Sequence, residues 1–302
     1  MIKNSYYTQL LIQIVNIFKR GDFLQEKWYI LDTGYHDAAT NMAIDEALLQ
    51  FHAEGIIQPT LRFYGWKNPS LTLGHFQKAE KAIDFDAVKK HGCDFVRRLT
   101  GGSAVLHDDE ITYSIIVSEE HPKIPSSINE AYYVLSKGLL EGYQLLGVNA
   151  EFAVPEEEAK RQRSDVCFEQ PAIYEMLVDG KKISGNAQTR KNGVLLQHGS
   201  IPMSFDLDML FDLFNYPNEK VKERQKQAFK HKATSINDIT GKTHTYEMMR
   251  DAFLQGFEHA LNIQTETFQL NEDQWKYVEH LVETKYRTDE WNFKLKKSMR
   301  SI

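Results

Sequence analysis

Cysteine is nearly absent from this chain of 302 residues: Cys93 and Cys167 are the two present, and two cysteines cannot build a disulfide framework. A fold of this size does not need one, and a reducing cytoplasm is the expected setting. A basic excess is also missing. The formal net charge is −6, so nothing supplies a phosphate-neutralising surface on the whole-chain scale, which argues against a general nucleic-acid binder. No Pro-, Gly- or Ser-rich linker, internal repeat or low-complexity tract divides the chain. Long apolar runs are lacking as well. Near the N-terminus Leu10, Leu11, Ile14, Val15 and Phe18 recur at helical spacing, but Gln9, Gln13 and Asn16 interrupt them and no small-residue cleavage site follows. This stretch is far short of a membrane span, so neither a signal peptide nor a transmembrane helix is expected.

What is present is 42% hydrophobic residues, enough for one large core or two modest ones. Trp28 to Gly34 reads as a strand leading into a turn. Ala38 to Leu49 reads as a helix with Thr40 or Asn41 as N-cap and Asp45 and Glu46 on its polar face. Thr60 to Trp66 and Ser70 to Gly74 alternate like paired strands around Lys67-Asn68-Pro69. Ile83 to Val88 begins a helix leading to Cys93, which has no base or ligand partner at motif spacing and reads as a packing cysteine. Ile128 to Leu146 is an amphipathic helix stopped by Gly147. Phe152 to Val154 is a short strand, and Glu156 to Ser164 is a charged loop. After Asp206 the character turns helical, with helices over Tyr246 to Leu261 and Glu272 to Lys285.

The stretch that organises the chain is Arg97-Arg98-Leu99-Thr100-Gly101-Gly102-Ser103-Ala104-Val105-Leu106-His107-Asp108. Two arginines run into a Gly-Gly turn, an apolar run follows, and Glu110 to Ser118 alternates again, which reads as strand, turn, strand, turn, strand with a hairpin at its centre. Gly101 and Gly102 carry no Cβ, so backbone N–H groups there can approach a carbonyl or phosphate oxygen closely, with Arg98 beside them. On Gly-Gly alone an ordinary glycine-rich hairpin is the better reading.

The wider string Arg-Arg-x-Thr-Gly-Gly-x-x-Val-x-His-Asp resembles the signature of the lipoate-protein ligase and octanoyltransferase superfamily. A second block, Lys182-Ile183-Ser184-Gly185-Asn186-Ala187-Gln188, resembles that family's lysine strand, and the Glu283 to Phe293 segment resembles its C-terminal block. The resemblance runs from about Trp28 onward. It implies an α+β fold, a mixed β-sheet flanked by helices similar to biotin and lipoate protein ligases, with a helical C-terminal portion. It also implies an N-terminal extension over residues 1–26, an amphipathic helix or a disordered segment, ahead of a single catalytic domain over 27–302. For the site, it implies that Arg98, Gly101, Gly102, His107, Tyr64, His75, Gly185 and Ala187 bind substrate. Phe63, Tyr64, Phe76 and Val105 fall in segments that the resemblance puts around an acyl group.

Cys167 carries the sharpest expectation. A lone cysteine is ordinarily buried and inert, but Ser164-Asp165-Val166-Cys167-Phe168 resembles the arrangement of octanoyltransferases that use this cysteine as an acyl nucleophile. Ile173 to Val178 then reads as a strand, Asp179-Gly180 as a tight turn, and Lys182 as part of the returning strand. An ammonium beside the thiol favours the reactive thiolate, or stabilises a tetrahedral oxyanion. The implied activity is transfer of octanoyl from acyl carrier protein, through a Cys167 thioester, to a lysine of a lipoyl-domain acceptor such as the glycine cleavage H protein. It needs neither metal nor cofactor. Alternatives are an amidotransferase between lipoyl domains, an ATP-dependent lipoate ligase, and a non-catalytic acyl-protein binder. Many ligases carry Gly-Asn soon after His-Asp, where this chain has Asp109-Glu110, which lowers the ligase reading. Glu219 to Lys232 is strongly basic, first a solvated helix face and second a dock for an acidic carrier.

Overall fold

A computed structural model describes residues 25–153 and 175–293 of the chain. The Leu10 to Phe18 stretch, the Glu156 to Ser164 segment read as a charged loop, and Cys167 itself lie outside the described residues. In chain order the strands are β1 (Glu26–His36), β2 (Thr60–Trp66), β3 (Ser70–Leu73), β4 (Asp94–Arg97), β5 (Val105–His107) and β6 (Glu110–Ser118). They continue with β7 (Glu151–Phe152), β8 (Met176–Val178), β9 (Lys181–Lys182), β10 (Gly185–Lys191), β11 (Val194–Pro202) and β12 (Ile263–Thr267). The helices of ten residues or more are α1 (Ala38–Ala53), α2 (Ile128–Leu145), α3 (Glu219–Lys232), α4 (Tyr246–Leu261) and α5 (Glu272–Leu281).

A six-stranded mixed sheet in the order β10-β11-β6-β2-β1-β12 forms the centre, parallel where β1 meets β2 and β12 and antiparallel elsewhere. Every residue of β2 and β11 is buried, because helices cover both faces of the sheet. On one face, Leu61, Phe63, Tyr113 and Ile115 pack with Leu135 and Leu139 of α2 and Phe253 and Phe257 of α4. On the other, Leu31, Tyr64, Ile116 and Leu196 pack with Ala43, Ala47 and Leu48 of α1 and Val278 of α5. The expected α+β architecture is therefore present. Two smaller sheets, β4-β3-β5 and β7-β8-β9, stand beside the central one.

Several local readings change. Gly101-Gly102 is not a hairpin turn: β4 and β5 both pair with β3, from opposite sides, so the Gly-Gly segment crosses over the end of β3. Likewise β2 and β3 do not pair; β2 belongs to the central sheet and β3 leads the second one. Alternation identifies a strand but not its partner. β12, a short polar strand with only Ile263 buried, adds an edge to the main sheet inside the stretch read as helical. Glu272 to Lys285 is α5 followed by a π-helical turn at Val282–Tyr286. Asp179 and Gly180, both at positive φ, make the expected tight turn between β8 and β9.

The α2–α4 contact rests on glycine. A Cβ at Gly256 would lie 2.5 Å from both the Gly138 carbonyl oxygen and the Gly142 amide nitrogen, backbone atoms that cannot swing aside. Alanine favours an isolated helix by about 1 kcal/mol over glycine, yet forcing this interface apart costs more. Gly256→Ala is therefore expected to lower the unfolding free energy by about 1–3 kcal/mol, read as a lower urea midpoint with the slope unchanged. An unchanged or raised midpoint would show that the two helices separate without loss.

Candidate active site

Arg98 follows β4 and is buried, as is Arg97 before it, but the two point to different tasks. Arg97 donates through Nη1 to the carbonyls of Gly74, His75 and Gln77, and through Nε and Nη2 to those near Trp291 and Asn292. It ties the His75 turn to the C-terminal block. Arg98 holds the Gly-Gly crossover instead: Nη2 donates to the Gly101 carbonyl at 2.7 Å and the Ser103 carbonyl at 2.8 Å. Gly102 sits at φ +97°, and its carbonyl comes so near Gly74 that a Cβ there would lie 2.0 Å from the oxygen. Glycine is required on both sides of that approach.

Two matching relays fix the rest of the Arg98 guanidinium. On one side Nε donates to Thr100 Oγ1 (3.1 Å), Thr100 Oγ1 and His198 Nε2 are 2.7 Å apart, and His198 Nδ1 meets Asp45 Oδ2 at 3.1 Å. On the other, Nη1 donates to Thr72 Oγ1 (3.3 Å), Thr72 meets His107 Nε2 at 2.9 Å, and His107 Nδ1 meets Glu110 Oε1 at 2.8 Å. Both carboxylates only accept when ionised, so each histidine donates from Nδ1 and receives the threonine hydroxyl proton at Nε2. Burial lowers the His198 pKa, in keeping with this neutral tautomer, and lowers Arg98 to about 10, still charged at neutral pH.

Asp45 also accepts from Arg62 Nη1 at 2.6 Å, from Ser114 Oγ at 2.9 Å and from the Tyr64 hydroxyl at 3.3 Å. Burial raises its carboxyl, but Arg62 and then His198 outweigh burial and hold it below the ordinary aspartate value. Glu110 accepts in addition from Thr112, Trp66 and Ser200. Asp45 and Glu46 thus do not form a solvated face. Asp45 faces the sheet, whereas Glu46 pairs with Lys191, Lys285 and Tyr286 beneath the C-terminal block.

An apolar cavity of about 270 Å³ opens beside this framework. Its lining includes Ser103 to Leu106, directly after the Gly-Gly crossover, Lys182 to Gly185, and Leu210, Phe229 and Ala233. Glu110, Ser184 and Ser200 add polar groups, so the lining is not wholly hydrocarbon. Of the expected site residues, Lys182 and Gly185 line the cavity, and Lys182 Nζ rests 2.7 Å from Glu175 Oε1. Ala187 pairs with His198 in the β10–β11 ladder. Tyr64 is fully buried under the Arg62 guanidinium, and His107 is stacked on Trp66 at 4.1 Å, so both support the crossover from behind. His75 is half-buried beside Phe76 and Trp291. Of the four aromatic and apolar residues expected around an acyl group, Val105 lines the cavity, Phe63 lies in the core packed against α2 and α4, and Phe76 is 75% exposed. Cys93 packs beside Met209, and burial pushes its thiol up to about 11, away from reactivity.

Sequence reasoning gave no site role to Thr72, Thr100, Glu110 and Ser200, and put Asp45 on a polar helix face. One signal was available for Asp45: apolar residues surround it on every side of α1, so the helix is buried all round and an acid within it needs partners.

Residues 37–258 match the family described as Lipoyl protein ligase A/B catalytic domain. The chain is 55% identical over 275 residues to octanoyltransferase LipM of Anoxybacillus flavithermus, covering 89% of this chain and 99% of that one. It is 50% identical to octanoyltransferase LipM of Bacillus subtilis with the same coverage. The chain belongs to this family. Its fold is similar to a bi-partite lipoate protein ligase from Thermoplasma acidophilum, with a TM-score of 0.74, 26% identity and coverage of 90% of this chain and 97% of that one. Both blocks that carried the sequence resemblance contribute to the cavity lining, through Ser103–Leu106 and Lys182–Gly185.

The relay gives stability a pH dependence of definite sign. Unfolded His198 takes up a proton as pH falls below about 6.5, while the folded residue stays neutral to lower pH, so its contribution is present at neutral pH and is lost on acidification toward the folded pKa. His36 and His52, also lowered by burial, add the same sign. The stability penalty of His198→Gln should accordingly shrink between pH 7.5 and pH 5 in urea titrations. A penalty that grows on acidification would mean that the folded imidazole is charged.

Proposed function

We propose that this chain is an octanoyltransferase of lipoate biosynthesis, with residues 27–302 as its catalytic domain. It takes octanoyl from acyl carrier protein and passes it to the lysine of a lipoyl domain such as that of the glycine cleavage H protein. The observation that carries the reading is the cavity lined by both Ser103–Leu106 and Lys182–Gly185, in a chain 50–55% identical to octanoyltransferases over nearly their whole length. Burying the seven carbons beyond an octanoyl carbonyl there supplies up to ~6 kcal/mol at ~0.8 kcal/mol per methylene.

In this reading the thiolate of Cys167 attacks the thioester carbonyl, the tetrahedral adduct expels the carrier thiolate, and an acyl-cysteine thioester remains. The neutral lysine amine of the acceptor then attacks that carbonyl, loses a proton and releases the Cys167 thiolate. Thioester exchange is nearly isoenergetic and the amide product is stable, so the sequence of steps runs without ATP. Lys182 is the group proposed to favour the thiolate or the oxyanion. Two features support that role: Lys182 is among the residues that line the cavity, and Glu175, the partner of its ammonium, is the first described residue after the segment that carries Cys167. Arg98, Gly101 and Gly102 shape the crossover that leads into the other wall. An amidotransferase between lipoyl domains would use the same two steps with a different donor, and an ATP-dependent ligase would leave Cys167 idle.

Mass spectrometry of the intact protein after incubation with octanoyl-acyl carrier protein tests the reading. Wild type and Cys93→Ala should gain one octanoyl group without ATP, labile to neutral hydroxylamine, and transfer it to a lipoyl domain. Cys167→Ala should do neither. Full turnover by Cys167→Ala would remove the covalent route, and use of free octanoate only with ATP would place the chain among the ligases.

A further inference from the structure

Helix α3 is the most basic helix among the described residues of an acidic chain. Between Glu219 and Lys232 it carries six lysines and arginines against two glutamates, a formal charge of +4 within a chain of −6. No residue of the helix is fully buried. Its inner side is nevertheless anchored: Asn218 caps it, Lys222 pairs with Asp212 at 2.5 Å, Lys226 pairs with Asp208, and Phe229 packs against Phe205 and Phe211. Those pairs neutralise the inner cations. Lys220, Arg224, Lys230 and Lys232 are exposed and have no ion pair among the described residues.

The same helix ends at the cavity. Phe229 and Ala233 line it, Ala233 bridges to Lys182 in parallel, and the Thr234 amide donates to the Lys182 carbonyl at 2.9 Å. A partner resting on the outer side of α3 is therefore adjacent to the cavity and to Lys182. Asp108 and Asp206 line the cavity as well and share a second hollow with Lys226 and Lys230, so the acidic groups of this region lie beside the inner side of α3, where Lys226 is paired with Asp208.

We propose that the exposed cations of α3 form the docking surface for the acidic carrier protein that presents the acyl thioester. This rests on the octanoyltransferase reading and adds where the donor sits. The donor, rather than the acceptor, suits this position because the donor must thread its whole acyl chain into the cavity that α3 lines. The acceptor brings only an amine to the carbonyl.

The test compares wild type with Lys220→Glu/Arg224→Glu/Lys232→Glu, three substitutions outside the cavity lining. Steady-state transfer is measured from octanoyl-acyl carrier protein and from octanoyl-N-acetylcysteamine, a neutral thioester without a protein. Labelled carrier is also titrated directly by fluorescence anisotropy. With the carrier, kcat/KM should fall by about tenfold or more, through KM, and the steep salt dependence of the wild type should flatten. With the small thioester it should be unchanged, as should the KM for the lipoyl domain. Carrier kinetics and carrier affinity unchanged by the three reversals would overturn the proposal, and so would a rise confined to the lipoyl-domain KM. Wild type that transfers from no thioester yet loses carrier binding in the variant would retire the octanoyltransferase reading while leaving the docking surface in place.

Discussion

A guanidinium taken out of water must find acceptors for all five of its N–H groups or forfeit several kcal/mol of solvation. Arg98 meets that demand without touching a carboxylate. Its acceptors are the carbonyls of Thr72, Gly101 and Ser103 and the hydroxyls of Thr72 and Thr100, and the negative charge stands two groups away at Asp45 and Glu110. The consequence is conformational. To bring the carbonyls of Gly101 and Ser103 onto one nitrogen, the chain must double back over β3, with Gly102 at positive φ and Gly74 beneath it. The wall that follows, Ser103 to Leu106, is thus placed by a charge rather than by a turn motif.

The relays explain why polar residues are so numerous in an otherwise apolar layer. A neutral histidine that donates to a carboxylate from one nitrogen accepts at the other, and a threonine hydroxyl that donates to that nitrogen keeps its lone pairs to receive Arg98. Proton positions are consequently fixed along both arms, from Asp45 to Arg98 and from Glu110 to Arg98. The arms are anchored in different elements: α1, β11 and the crossover on one side, β3, β5 and β6 on the other. They join the central sheet to the smaller one, and the cavity lies at that junction.

Much of this was legible in the residues. Apolar periodicity located α1, α2 and α4 and the strands β1, β2 and β6 of the central sheet, because burial on a helix stripe or a strand face leaves a pattern. The two blocks at Arg97–Asp108 and Lys182–Gln188 marked the segments that meet. Pairing was not legible: β4, β5 and β6 follow one another like hairpin strands, yet Asp108-Asp109 carries the chain from one sheet to another. Nor were the partners of Asp45 and Glu110, since a carboxylate and its donors come from elements 17 to 153 residues apart along the chain for Asp45. The aromatic residues near the motifs misled for a related reason. Phe63 and Tyr64 are adjacent in β2 and must point to opposite faces, so both cannot line one cavity.

The central claim is that the space between Ser103–Leu106 and Lys182–Gly185 holds the acyl chain. Gly185 tests it directly, because a Cβ there would meet nothing within 4 Å and would project toward the cavity that the residue lines. A Gly185→Val enzyme should fold normally and lose space where the acyl tail lies. The measurement is the ratio of kcat/KM for octanoyl to that for hexanoyl carrier. In the wild type the two extra methylenes favour octanoyl by about 1.6 kcal/mol, roughly fifteenfold. The account predicts that Gly185→Val collapses or inverts that ratio, whereas an unchanged ratio in a folded, active variant would place the acyl chain elsewhere.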